Sequence, residues 1–279
     1  MKVFRDQASL VEYIAQLKKE NKTIGFAPTM GALHQGHMSL YSIAKKENDI
    51  IVASVFVNPT QFNNLEDLEK YPRTEENDLL LLENIGVDIA YLPRIQDIYP
   101  TETKSKSYDF GGIENEMEGA ARPGHFDGVG TVVSELLRQV QPDNAYFGEK
   151  DFQQLAIIRK LVEIKNLKVN IHGAPIFRAE NGLALSSRNA RLTEKEKEEA
   201  LILYQTLSQV KEWFPTMDYA EIKEKVAQIF ENTPYELEYF LIADEKTLKE
   251  LEEKSPEAHY RAFLVVWISG VRLIDNMAC

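Results

Sequence analysis

The sequence predicts an α/β protein in which a doubly wound parallel sheet is followed by a smaller C-terminal α+β domain. Apolar runs typical of buried strands alternate with amphipathic segments typical of helices as far as residue 176. Polar turns follow the strands at 28–37, 58–62 and 147–154, and doubly wound sheets bind their ligands at such strand ends. The alternation stops after residue 176, so we predict two domains, at 1–176 and 177–279.

The elements of the first domain follow from local signals. The segment 9–20 has apolar residues at helical spacing, and the continuous run 50–57 is typical of a strand that is covered on both faces. Thr74 and Gly86 are the start and stop signals of a helix. The predicted elements in chain order are helix 9–20, strand 23–27, helix 38–46, strand 50–57, helix 74–85, strand 87–92, helix 128–140, strand 145–147, helix 149–165 and strand 169–176.

The second predicted domain has a different pattern. The charged run at 193–199 opens a helix that extends to about residue 214, and we interpret this run as a solvated helix face. A second helix follows at 218–231. Strands are predicted at 238–242, 262–268 and 271–274 and are expected to pair antiparallel.

The bulk composition limits the partners of this chain. It has 279 residues and a formal net charge of −12, which argues against a nucleic-acid-binding protein because such proteins present a basic face. A site for anionic substrates would have to gather its cations locally or bring in a metal ion. The single cysteine, Cys279, permits no internal disulfide. We find neither an apolar signal segment nor a membrane-length apolar run, and therefore expect a cytoplasmic protein.

The turn at 28–37 joins a predicted strand to a predicted helix. If the helix begins near Gly36, its unpaired backbone N–H groups and its dipole form an anion site. Gly31 and Gly36 would let the backbone approach a phosphate, and His34 and His37 would point at the same bound group. The two histidines could instead be ordinary surface or core residues. A zinc site is disfavoured because nothing nearby completes three or four ligands.

Two further segments carry residues suited to phosphate. Lys150 stands at a predicted helix start, where a cation opposes the helix dipole, so a bound anion would explain it. Ser186, Ser187 and Arg188 stand at the junction of the two predicted domains and suit bidentate phosphate binding. The alternatives are a solvated lysine, a capping serine cluster and an arginine that pairs with an acidic side chain. Gln61, at the exit of a buried strand, offers an amide to a small polar ligand.

These motifs together resemble a known family. The strings are Pro28–His37 (PTMGALHQGH), Asn58–Phe62 (NPTQF), Arg122–Val129 (RPGHFDGV), Phe147–Gln154 (FGEKDFQQ), Gly182–Asn189 (GLALSSRN) and Val271–Asn276 (VRLIDN). In this order they resemble the pantoate–β-alanine ligase family, which has the histidine–glycine–histidine turn of Rossmann-like nucleotide-binding enzymes. The resemblance covers nearly the whole chain.

The resemblance implies a set of site residues. Catalytic roles are implied for His34, His37, Lys150 and Arg188. Contacts to ATP are implied for Met30, Gly31, Ala32, Leu33, His34, Gln35, Gly36, His37, Gly148, Glu149, Lys150, Asp151, Phe177, Leu185, Ser186, Ser187 and Arg188. Contacts to pantoate or β-alanine are implied for Asn58, Gln61, Phe62, Val132, Val133 and Gln154. Asp78 is a candidate ligand of Mg²⁺. Leu185 and Phe177 depart from the residues usual in the family, and Asn77 stands where some relatives have a second acid.

The resemblance implies an ATP-dependent ligase that forms pantothenate through an enzyme-bound pantoyl adenylate. It also implies a homodimer and a second domain that closes over ATP. Because an acyl adenylate is readily hydrolysed, the site must exclude water, and we expect the polar segment 63–70 to act as a lid. Two alternatives stay open at this point. One is a nucleotidyltransferase of the same fold, which would yield a nucleotide-linked product rather than free AMP. The other is a nucleotide-binding module that binds ATP and turns over no acid.

Overall fold

The computed structural model describes residues 1–279 apart from the side chain of Leu65, and the chain divides into two compact units. The first unit comprises Met1–Glu149 and Gln153–Pro175, and the second comprises Lys150–Phe152 and Ile176–Cys279. Sequence analysis had assigned residues 150–152 to the first domain, whereas in the structure they belong to the second unit.

The first unit is built on a six-stranded sheet. Its strands are β1 (Lys2–Phe4), β2 (Ile24–Thr29), β3 (Ile50–Val55), β4 (Ile89–Tyr91), β5 (Asn144–Gly148) and β6 (Asn170–Ala174). The helices up to β6 are α1 (Gln7–Lys19), α2 (Gln35–Glu47), α3 (Leu65–Lys70), α4 (Glu75–Ile85), α5 (Ile95–Ile98), α6 (Met117–Ala121), α7 (His125–Val140) and α8 (Phe152–Lys165).

All strand pairs of this sheet are parallel, in the order β1-β4-β3-β2-β5-β6. The central strand β2 pairs with β3 on one side and with β5 on the other, where Gly25 lies opposite Asn144. The chain therefore winds in opposite directions from β2, and the carboxyl ends of β2 and β5 meet at the switch point where doubly wound sheets bind ligands. The predicted fold class is confirmed.

Both faces of this sheet are covered, which explains its apolar strands. Side chains alternate along a strand, so Phe26 joins the cluster formed by α1, α7 and α8, whereas Ala27 joins the cluster formed by α2 and α4. No helix in the described part of the chain is both long and apolar enough to span a bilayer.

The second unit has an antiparallel sheet in the order β7 (Glu236–Asp244), β8 (Tyr260–Ile268) and β9 (Val271–Ala278). Its helices are α9 (Glu194–Glu199), α10 (Leu201–Trp213) and α11 (Tyr219–Glu231), and α10 and α11 share an apolar core with the sheet. The prediction of a single helix at 193–214 was wrong, because Ala200 separates α9 from α10. Strand β9 extends well past its predicted end at Ile274.

Three helices begin away from their predicted starts. Helix α2 begins at Gln35, three residues before the predicted start at 38, and α7 begins three residues before Gly128, after the left-handed residue Gly124. Residues Glu149–Asp151 form a separate 3-10 turn, so α8 begins at Phe152. The short edge strand β1 was missed because its three residues carry no repeating pattern.

We expect Gly128→Ala to destabilise the first unit. A Cβ at this position in α7 would lie 2.4 Å from the carbonyl oxygen of Thr60, which immediately precedes the predicted site residue Gln61. The helix propensity gained, about 1 kcal/mol, does not offset a clash with a backbone that cannot yield. Denaturant unfolding should show a net loss of roughly 1–3 kcal/mol. The exposed Arg138→Ala on the same helix should change stability by less than about 0.5 kcal/mol. Equal stability of Gly128→Ala and the wild type would contradict the close packing described here.

Candidate active site

The histidine turn after β2 is organised by two reciprocal hydrogen bonds. His34 is the N-cap of α2, and its Nδ1 accepts the backbone N–H of Gly36 at 3.1 Å. The Nδ1 of His37 accepts the backbone N–H of His34 at 3.3 Å. The two ring centroids are 4.0 Å apart. Because each Nδ1 is an acceptor, the proton of each neutral ring is on Nε2, and each ring can offer an Nε2–H donor to an anion.

The same turn is held from behind by Asp78 of α4, a residue that is 1% exposed. Its Oδ2 accepts the N–H of Ala32 at 3.0 Å and its Oδ1 accepts the N–H of Leu33 at 2.8 Å. The hydroxyl of Thr74 donates to Oδ1 at 3.1 Å. Ala32 has a φ of 50° and Gly31 a φ of 84°, so the carboxylate stabilises a turn that the backbone alone disfavours.

The position of Asp78 bears on two predictions. Both of its carboxylate oxygens are engaged with the turn and with Thr74, so the structure gives Asp78 a positioning role, and its role as a metal ligand stays a prediction. The N–H groups of Ala32 and Leu33 donate to Asp78, and the contacts to ATP predicted for these two residues stay a prediction. No cluster of three or more potential metal-ligating His, Cys, Asp or Glu side chains occurs among the described residues.

The segment after β3 forms a buried amide network around Gln61. Asn58 Nδ2 donates to Gln61 Oε1 at 2.9 Å and to the carbonyl of Gly128 at 3.1 Å. The hydroxyl of Tyr99 donates to Asn58 Oδ1 at 2.6 Å, and burial raises the pKa of Tyr99, which keeps it protonated. Because Gln61 Oε1 faces Asn58, the orientation of the Gln61 amide is fixed and its Nε2 is directed elsewhere.

The backbone of Gln61 is held as firmly as its side chain. The carbonyl oxygen of Gln61 accepts from Arg122 Nη2 at 3.0 Å and lies 2.9 Å from His125 Nδ1. Arg122 and His125 stand at the start of α7, in a segment that the sequence singled out. Both side chains therefore position the backbone of Gln61. Sequence reasoning did not assign this role to them.

The other predicted pantoate residues are placed differently from one another. Val132 and Val133 both belong to the main core cluster of the first unit, and Phe62 makes an edge contact with the ring of Tyr71. Gln154 is half-buried. Its neighbour Gln153 is buried, and its side-chain amide hydrogen-bonds backbone groups of 113–118. The two adjacent glutamines therefore differ in their environment.

Lys150 lies in the 3-10 turn after β5 and belongs to the second unit. Its side chain is 17% exposed, and its ammonium is 3.8 Å from a carboxylate oxygen of Asp151. That separation is too long for a hydrogen bond. The ion pair with Asp151 is therefore a long one, and the ammonium keeps hydrogen-bond donors for a further anion. Glu149 and Asp151 flank it in the same turn.

The serine–arginine segment begins a 3-10 helix in the second unit. Ser186 is the N-cap of Ser187–Arg191, and its Oγ accepts the N–H of Arg188 at 3.3 Å. Asn189 is 8% exposed, and neither side-chain polar atom has a hydrogen-bond partner among the described residues. Asn189 and Ser186 line a small cavity beside Tyr204.

The two residues that depart from the family pattern are neighbours. The N–H of Leu185 donates to the carbonyl of Phe177 at 3.1 Å, so both lie on one short hairpin that leads to Ser186. The predicted lid at 63–70 contains α3, which is capped by the side chain of Asn64, and its role as a lid stays a prediction.

A parallel sheet whose central strand ends in a histidine-capped helix start is typical of α/β enzymes that bind nucleotides. The family model for pantoate-beta-alanine ligase matches residues 2–278. The chain belongs to the pantoate–β-alanine ligase family.

Individual relatives agree with this assignment. A pantothenate synthetase of Flavobacterium psychrophilum is 49% identical over 280 residues, which cover 100% of this chain and 99% of the relative. The pantothenate synthetase of Christiangramia forsetii is 48% identical, with the same coverage. The crystal structure of pantothenate synthetase from Thermus thermophilus superposes with a TM-score of 0.91 at 38% identity, covering 99% of both chains. The predicted family and the prediction of a ligase are confirmed.

A further solved relative is a complex with ligands. The pantoate-beta-alanine ligase of Francisella tularensis, described as complexed with beta-gamma ATP and beta-alanine, has a TM-score of 0.82 at 37% identity. The match covers 100% of this chain and 97% of the Francisella tularensis chain.

We expect Asp78→Asn to loosen the histidine turn. An asparagine of the same size presents an amide NH₂ in place of one acceptor oxygen, so either Ala32 or Leu33 loses the partner of its N–H. The free energy of unfolding should fall by roughly 1–3 kcal/mol, and hydrogen exchange at the Ala32 and Leu33 amides should accelerate.

The matched control for this variant is Asn77→Ala, at the exposed neighbouring position of the same helix. It should leave both measurements within experimental error. Unchanged amide protection in Asp78→Asn would contradict the anchoring role.

Proposed function

We propose that this protein condenses pantoate with β-alanine to give pantothenate, with ATP as the energy source. The pantoate carboxylate attacks the α-phosphorus of ATP, pyrophosphate leaves, and a pantoyl adenylate stays bound. The amine of β-alanine then attacks the acyl carbon, AMP leaves, and the amide forms. No protein nucleophile takes part, so catalysis comes from alignment and from donors aimed at developing charge.

The observation that carries this proposal is the reciprocal capping of His34 and His37. Since Nδ1 of each ring is fixed as an acceptor, each ring offers Nε2–H to the phosphate that undergoes attack. The start of a 13-residue helix adds its dipole to the same anion. Met30, Gly31, Gln35 and Gly36 would lie along the nucleotide as neighbours of these rings.

A second group of cations would bind the leaving pyrophosphate. The Lys150 ammonium is too far from Asp151 to donate a hydrogen bond to it, so a phosphate oxygen would accept that bond. Ser186, Ser187 and Arg188 would contact the same phosphates from the capped 3-10 helix. This local concentration of donors would offset the unfavourable net charge of the chain.

Pantoate would bind at Gln61. With Oε1 engaged by Asn58, the Nε2 donors of Gln61 would serve a hydroxyl or carboxylate of pantoate, with Gln154 as a second amide. Val132 and Val133 are mainly core residues, so only their edges would contact the methyl groups of pantoate.

Magnesium would enter with the nucleotide. Among the described residues no three His, Cys, Asp or Glu side chains gather into a ligand set, and Asp78 already serves the backbone. The residues therefore do not make a cage for Mg²⁺. The ion would be held mainly by phosphate oxygens and water, as Mg²⁺ commonly is in nucleotide sites.

We further propose that the protein acts in the cytoplasm as a homodimer. The family resemblance supports the dimer, and the single thiol supports a reducing compartment. Burial raises the pKa of Cys279 to about 11, so this thiol is protonated and unreactive at neutral pH.

The adenylation half-reaction can be measured as pantoate-dependent exchange of labelled pyrophosphate into ATP without β-alanine. The wild type should catalyse this exchange. His37→Ala should slow it about 100-fold, because an oriented donor of this kind contributes about 3 kcal/mol to lowering the barrier. The exposed His259→Ala should exchange like the wild type. Full exchange in His37→Ala would remove His37 from catalysis. A nucleotide-linked product in place of free AMP would favour a nucleotidyltransferase.

The role of Gln61 has its own test. Gln61→Glu keeps an oxygen for Asn58 but replaces the Nε2 donors by a negative charge, which repels the pantoate carboxylate. The KM for pantoate should rise at least about 10-fold, a loss of roughly 1.4 kcal/mol or more, while the KM for ATP stays the same. An unchanged KM for pantoate would place pantoate elsewhere.

A further inference from the structure

The segment that carries Lys150 is fastened to strand β9 of the second unit. Asn276 is 2% exposed, and its Nδ2 donates to the backbone carbonyl of Lys150 at 2.8 Å. Its Oδ1 accepts from Arg261 Nη1 at 2.7 Å. The arginine therefore fixes which end of the amide faces Lys150, because a flipped amide would present an oxygen to a carbonyl and an NH₂ group to a guanidinium.

Arg261 is held by Glu245 and also contacts Phe152, in the segment that carries Lys150. Its Nε donates to Glu245 Oε1 at 2.8 Å, and its guanidinium lies 4.1 Å from the centre of the Phe152 ring. Phe152 also packs against Phe263, with ring centroids 6.0 Å apart. Lys150 and Phe152 thus contact β8 and β9 through a hydrogen bond and through aromatic and cation–π contacts. These contacts agree with the placement of residues 150–152 in the second unit.

The residue before Asn276 fixes the hairpin that leads to Ser186. Asp275 receives a two-pronged ion pair from Arg178, at 2.7 and 2.9 Å. Arg178 also donates to the carbonyls of Gly182 and Asn276, at 3.1 and 3.2 Å. The backbone N–H of Asn276 donates to Asp275 Oδ1 at 2.8 Å. One dipeptide therefore holds both the Lys150 turn and the hairpin that ends at Leu185.

We infer that Asn276 is a positioning residue for adenylation, which sets Lys150 in register with the Ser186–Arg188 segment through the shared anchor at Asp275. This inference rests on the phosphate-binding role proposed above for Lys150. A lysine that must meet a transferring phosphate is sensitive to small displacements, since a shift of about 1 Å in a reacting group can cost on the order of 100-fold in rate. The long lysine side chain does not remove this sensitivity, because its burial limits the conformations that it can use to compensate.

The test uses Asn276→Asp and Asn276→Ala in the full-length protein. The aspartate keeps the shape and pairs well with Arg261, but it presents an oxygen to the Lys150 carbonyl, whereas the alanine removes both the donor to that carbonyl and the acceptor of Arg261. In both variants we expect the kcat of pantoate-dependent pyrophosphate exchange to fall about 10-fold or more, with an unchanged KM for pantoate. Thr206→Val is the matched control, because Thr206 is a buried polar residue of the second unit whose hydroxyl has no hydrogen-bond partner among the described residues. It should exchange like the wild type.

A double-mutant cycle with Lys150→Ala separates positioning from general destabilisation. If Asn276 acts through Lys150, adding Asn276→Ala to Lys150→Ala should lower exchange no further. The inference would be overturned if the rate losses of the two single variants multiplied in the double variant. It would also be overturned if both Asn276 variants had the wild-type kcat. If Lys150→Ala itself exchanges at the wild-type rate, the role proposed for Lys150 fails and the inference fails with it. If Lys150→Ala is impaired and both Asn276 variants are normal, only the inference fails.

Discussion

The candidate site depends on one buried carboxylate. Asp78 accepts hydrogen bonds from the backbone N–H groups of Ala32 and Leu33, and these bonds stabilise Ala32 in a left-handed backbone conformation that a residue other than glycine disfavours. Because the turn is fixed there, His34 arrives extended at the N-cap of α2, and His37 lies on the first helical turn where the two rings meet. A buried carboxylate is costly to desolvate, and its three donors offset that cost.

The same arrangement recurs at the other elements of the site. Asn58 positions Gln61, Gln153 ties the segment 113–118 to α8, and Asn276 holds the carbonyl of Lys150. In each case a buried amide or acid spends its polar atoms on the backbone or on another side chain of the chain. The side chains that would meet substrate are fixed indirectly, so the cost of ordering them is met when the chain folds rather than when the ligands bind.

Sequence reasoning could predict the features that periodicity and spacing encode. The alternation of strands and helices predicted the parallel sheet, and glycine with polar residues at the strand ends predicted the positions of the turns. Burial and partner choice leave no such trace. Nothing in the sequence distinguishes Gln153 from Gln154, and nothing in it shows that Asp78 accepts the backbone N–H groups of Ala32 and Leu33. The start of α7 was predicted at Gly128, whereas its N-cap is Gly124, and the sequence does not show which of these two glycines begins the helix.

A family motif marks both the residues that touch substrate and the residues that hold them, and the structure offers a physical criterion to separate the two. Asp78, Asn58 and Asn276 have their polar atoms engaged inside the chain, so they are suited to positioning. The ammonium of Lys150 lies beyond hydrogen-bond distance of Asp151. Asn189 is buried with both polar atoms unpartnered among the described residues. An unmade hydrogen bond on a buried group costs about 1–3 kcal/mol. Asn189 also lines a cavity with Ser186, so it is placed to take a partner from outside the chain, whereas the equally unpartnered Thr206 does not line that cavity.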